Sequence, residues 1–207
     1  MGLFLAMSGV AGVTRKAVEE ALGEYAQSKN GRFQAATGPE SFPDVMVIGE
    51  QGDRITVVYP GEFMEWDEAS AHLSRSLGVP VFSFHIHDDD LWMYTLFAGG
   101  GEEVGHFNPI PDYWFEDISD EERELWAGDA KAVADHWPGV QPDAIDKYLA
   151  VWDLDEQEPG KAYDDDQFPY NDCWQLIDFM RRLGLAYPID EQGRVLGVAY
   201  RFEVASS

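Results

Sequence analysis

Cysteine is nearly missing from this chain. One, Cys173, stands among 207 residues, which rules out an internal disulfide and any zinc site built from cysteines alone. Basic residues are scarce as well: 14 Lys and Arg face 39 Asp and Glu, for a formal net charge of -25. A field of that sign repels nucleic-acid phosphates and anionic membranes, so neither is an expected partner. No apolar run approaches the ~20 residues that a membrane-spanning helix needs. The opening run MGLFLAMSGVAGV is short and has no basic residue ahead of it. It reads as a first strand rather than a signal peptide, and a cytoplasmic setting is the expectation. Nucleophile elbows, P-loops and dinucleotide fingerprints are absent too. Gly99-Gly100-Gly101 precedes a predicted strand, so no helix N-terminus stands there to hold a phosphate.

The chain does have apolar and aromatic residues, at 45% and 14% of its length, enough for a folded core without cross-links. The surplus of acid is unevenly placed. Residues 1–43 carry four basic and four acidic groups, and residues 173–207 carry four of each again. Residues 44–111 carry 2 basic and 12 acidic groups, and residues 112–172 carry 4 and 19. Both ends are balanced, and the whole excess lies between them. Such a surface suits cations or basic proteins, or serves solubility alone.

The patterning predicts one α+β domain over residues 1–207: a largely antiparallel sheet, helices on one face, and a helical segment inserted before the C-terminal strand. A strand over residues 3–10 leads to a helix capped by Thr14 and stopped at Asn30-Gly31. A hairpin flanks Gln51-Gly52-Asp53, and Trp66, Ala69, Ser70, Leu73 and Leu77 share one helical face. Three strands follow near Val81–His87, Leu91–Phe97 and Glu103–Phe107, and the middle one, apolar on both faces, belongs inside the sheet. Residues 109–184 read as mainly helical, with one helix from the Ser119–Glu122 capping box to Trp137 and a second over Pro142–Trp152. A long acidic loop follows at 153–171, then a helix Cys173–Leu183 with an Asp172–Gln175 capping box. The last strand, Arg194–Val204, must return to the sheet.

Chemistry concentrates in few places. His85 and His87 stand two apart on a predicted strand, so they share a face, and the next hairpin can bring His106 toward them. Together with nearby carboxylates they are candidate ligands for a divalent transition metal. The plainer reading is exposed sheet histidines beside an ordinary Asp turn. Asp153, Asp155, Glu156, Asp164, Asp165 and Asp166 offer oxygen to a basic partner or to Ca2+, although their spacing does not follow the EF-hand pattern. A solvated acidic loop is the alternative. Tyr113 and Trp114, stiffened by Pro109 and Pro111, offer rigid aromatic area for a partner, or plug the sheet edge. Cys173 lies in an apolar stripe and reads as a packing residue.

The stretch HIHDDDLWMYTLFAGGGEEVGHFNPIPDYW resembles a group of uncharacterised acidic bacterial proteins. The likeness rests on the turn Asp88–Asp90, the strand Trp92–Phe97, the turn Gly99–Gly101 and the closing Phe107–Trp114. It implies no particular activity. Size, acidity and aromatic content also look like toxin-immunity proteins, a likeness that assigns no residues. Charge and aromatic content lead to the expectation of a non-enzymatic role: binding a basic protein through Tyr113, Trp114 and the acidic middle. The competing expectation is a metal-dependent enzyme or metal-binding protein using the strand histidines.

Overall fold

A computed structural model describes residues 2–37, 42–115, 117–154 and 160–204. Eight strands form one antiparallel sheet in the order β2-β8-β3-β4-β1-β5-β6-β7. They are β1 Leu5–Ala11, β2 Arg32–Ala35, β3 Met46–Gln51, β4 Arg54–Val58, β5 Val81–His87, β6 Leu91–Phe97, β7 Glu103–Phe107 and β8 Val198–Glu203. The α+β expectation holds. β6 lies between β5 and β7, as its two-sided apolar pattern requires. β8 is the last of the described strands, yet it enters the sheet between β2 and β3.

Alternation along the strands builds two cores. On one face, Ala6, Val10, Ile55, Val57 and Tyr200 pack with Val18, Leu22 and Tyr25 of α1 (Arg15–Ser28) and with Ala69 and Leu73 of α2 (Trp66–Leu77). Thr14 caps α1 by accepting from the Ala17 amide, and Gly78 closes α2 in the left-handed region at φ 67°. On the other face, Met7, Phe82, Phe84, Trp92 and Phe107 pack with Trp137, Tyr148, Leu176 and Phe179 from the segment between β7 and β8. That segment therefore covers the face that α1 and α2 leave open.

The segment is less regular than its sequence predicts. The expected helix up to Trp137 is two short ones, α3 (Asp120–Glu124) and α4 (Ala130–His136), because Asp129 starts a new helix by accepting from the amides of Lys131 and Ala132. The expected helix Pro142–Trp152 is a pair of 3-10 turns, Pro142–Ala144 and Asp146–Leu149, though Ile145, Leu149 and Trp152 do face inward. α5 spans Gln175–Arg182, and its capping box does not form. Gln175 is instead buried, and its Oε1 accepts from Trp92 Nε1 at 3.2 Å.

Two glycines let this second layer approach the sheet. Gly9 of β1 and Gly49 of β3 both pair with Thr56 of β4, which puts them in one row. A Cβ on Gly9 would stand 2.5 Å from Leu185 Cδ1, and one on Gly49 would stand 2.4 Å from Pro188 Cβ. The chain leaving α5 crosses the strands over this row.

Candidate functional site

β5 carries His85 and His87 on the α2 face, where the sheet ends at the Asp88–Asp90 turn. Asp88 and Asp89 take φ of 53° and 63°, a left-handed pair that Asp tolerates, and the Asp90 amide donates to the His87 carbonyl at 3.0 Å. The hairpin sets His87 opposite Leu91 and His85 opposite Met93, as the sequence predicts. β1 lies on the other side of β5, and its register brings Phe4 beside His87 with ring centroids 4.9 Å apart.

His85 is buried under Trp66, the first residue of α2. Its Nε2 is 3.3 Å from His87 Nδ1, a hydrogen-bonding distance. Burial pushes the His85 imidazole down to about 4, helped by His87, and a contact with the Leu5 main chain offsets this in part. His85 is therefore neutral at pH 7.

His87 is only partly covered, and it is where the site opens to solvent. Tyr113 and Trp114 reach it from the 3-10 turn Pro111–Tyr113, each with its ring centroid 5.3 Å from the imidazole. A bidentate pair holds that turn: Arg123 donates from Nε and Nη2 to Asp112 at 2.8 and 2.6 Å. Phe4, Tyr113 and Trp114 are each about two-fifths exposed, so four rings, the imidazole of His87 included, form one aromatic surface. Carboxylates flank it. Partial burial and then the charges of Asp90 and Asp88 hold the Tyr113 phenol above its ordinary value.

The other sequence candidates lie elsewhere. His106 does not join His85 and His87: it pairs across the sheet with Thr95, and its nitrogens contact Glu103 at 3.0 Å and the Leu125 carbonyl at 3.0 Å. Among the described residues, no group of three or more His, Cys, Asp or Glu is placed to hold a metal ion. Asp166, expected on a partner-facing surface, is buried. It accepts from the Tyr148 hydroxyl at 2.5 Å, the Tyr163 amide at 2.8 Å, Arg181 at 3.2 Å and Arg182 at 3.1 Å. Asp165 is exposed and pairs with both arginines. Asp164 is exposed, as is Asp153, whose carbonyl accepts from Asn171. Asp155 and Glu156 fall outside the described residues. Cys173 is buried, and burial followed by the charge of Asp172 pushes its thiol up to about 12, which suits packing rather than nucleophilic chemistry.

The sequence marks Phe4 and Trp66 as strand and helix residues only, not as part of a site. Alternation along β1 places Phe4 on the Ala6 face, but only the β1–β5 pairing shows that this face meets the histidines. Comparison with protein-family models, with curated proteins and with solved structures finds no match. The functional reading therefore rests on geometry and charge.

Proposed function

We propose that this chain is a non-enzymatic binding protein of the inhibitor or immunity type, and that it holds a basic protein through the Phe4–His87–Tyr113–Trp114 surface. The observation carrying this reading is that four neighbouring rings are left partly exposed beside Asp88 and Asp90, on a chain of net charge -25. Rigid aromatics give area at low entropic cost and form cation–π contacts with Lys and Arg. The surrounding field speeds encounter with a cationic partner. The test is capture from a lysate on immobilised protein at low and high salt, repeated with a Tyr113→Ser/Trp114→Ser variant of unchanged charge. Cationic proteins should be retained at low salt by the parent and lost by the variant. Retention of the same set by both, or of no basic protein by either, defeats the proposal.

One observation favours a second reading, a divalent metal at the histidines. The 3.3 Å between His85 Nε2 and His87 Nδ1 is close to the roughly 3.3 Å that separates two imidazole nitrogens on one tetrahedral ion. Elemental analysis decides it: a stoichiometric transition metal in the purified protein must disappear in His85→Ala/His87→Ala.

A further inference from the structure

The Pro60–Glu65 connection, between β4 and α2, borders two adjoining depressions. The smaller is a pit of about 70 Å³, walled by Phe4, Ala6, Phe63, Met64, Trp66 and His85. Among the described residues, no carboxylate, lysine or arginine lines it. The larger is an open groove that shares Pro60, Gly61, Phe63 and Met64 with the pit. The groove has the opposite character: Asp44, Glu62, Glu65 and Glu203 line it together with Phe202, and among the described residues no basic one does. Glu65 is partly engaged, with Lys29 Nζ at 3.9 Å and the Tyr25 hydroxyl at 3.4 Å.

We infer that pit and groove form one track for an extended basic segment of a protein partner, with a single aliphatic side chain anchored in the pit and its lysines or arginines along the groove. This rests on the basic-partner reading and names the feature recognised. The division of labour follows from desolvation. An ammonium in the pit would leave water and meet no counter-charge, which is costly. An aliphatic group there meets Phe63, Trp66 and Met64 and gives up only water contacts. In the groove the preference reverses, because four carboxylates favour cations. Met64, at 72% exposure, stands at the lip, where an unbranched thioether can adapt to the incoming chain. The pit shares Phe4 and His87 with the Tyr113–Trp114 surface, so a partner on that surface also reaches the pit.

The probes are a lysine hexapeptide carrying one central leucine and the all-lysine hexapeptide, titrated calorimetrically at low salt. They are run against the parent, Ala6→Leu, which fills the pit, and Met64→Trp, which covers its mouth from an exposed position. The leucine peptide should bind the parent about tenfold or more tighter than the all-lysine peptide. Either variant should erase that advantage, and Ala6→Leu, whose site lines the pit but not the groove, should leave all-lysine binding in place. Equal affinity of the two peptides for the parent overturns the anchor and leaves the basic-partner reading standing. Persistence of the leucine advantage in both variants overturns the pit as its seat. Failure of both peptides to bind the parent sinks the inference and the basic-partner reading together.

Discussion

Trp66 lies flat on His85, with ring centroids 4.3 Å apart and planes 7° from parallel. The indole therefore replaces water over one face of an imidazole that must stay neutral. Folded, His85 titrates near 4; unfolded, near 6.5. Between these values the unfolded chain binds the extra proton, so stability rises with pH across the window and is lost as pH falls from 6.5 toward 4. The gap is worth about 3 kcal/mol at most. Urea unfolding of the parent and of His85→Phe between pH 4 and 7 should give curves that diverge on the acid side, with the parent falling faster. Parallel curves would mean that the imidazole charges in place.

Asp166 ties together groups from four residues, Tyr148, Tyr163, Arg181 and Arg182. Asp166→Ala would leave the buried Tyr148 hydroxyl and the Tyr163 amide without their acceptor, and would take a counter-ion from Arg181 and Arg182. Both arginines are partly solvated, which limits the loss. The expected cost is about 2–3 kcal/mol by urea denaturation. Asp164→Ala, two residues away and exposed, should stay within about 0.5 kcal/mol.

Tyr113→Ser/Trp114→Ser should separate binding from folding. Both side chains are about two-fifths exposed, and the turn beneath them is held by Asp112 and Arg123. The thermal midpoint should therefore move by no more than a few degrees, while retention of cationic protein is lost. Asp112→Ala, which unpins the turn, should weaken retention with both rings still present.

The glycine row predicts a graded pair. At Gly49 a methyl would strike the Pro188 ring close to its backbone, so Gly49→Ala should cost about 1–3 kcal/mol. At Gly9 it meets the tip of Leu185, which can turn aside, so Gly9→Ala should cost less. Gly9→Ala/Leu185→Ala should be less destabilised than the sum of its single variants, because the second change removes the clash along with the contact. Differential scanning calorimetry of the parent and the four variants, Leu185→Ala included, decides the order.

The β half of the molecule was legible because its signals are local. Asp88–Asp90 and Gly99–Gly101 bracket LWMYTLF, and the three strands fall at Val81–His87, Leu91–Phe97 and Glu103–Phe107, as their alternation and turn residues predict. The layer between β7 and β8 was legible only in which residues face inward. Helical spacing of Ile145, Leu149 and Trp152 reports burial, and 3-10 turns with coil satisfy the same spacing. Asp172 and Gln175 match a capping box, but a buried indole 83 positions away takes the glutamine. The site was half visible. His85, His87, Tyr113 and Trp114 stood out by type, whereas their meeting with Phe4 and Trp66, and the departure of His106, depend on pairing between distant strands.

The place of β8 bears on how this protein can be made. The N-terminal strands leave a gap between β2 and β3 that only Val198–Glu203 can fill. Until that stretch emerges from the ribosome, β3 offers an unsatisfied edge and β2 has no neighbour. Assembly must therefore wait until Val198–Glu203 has been made, and a nascent chain stalled before Val198 should present a sticky ladder to whatever strand comes first.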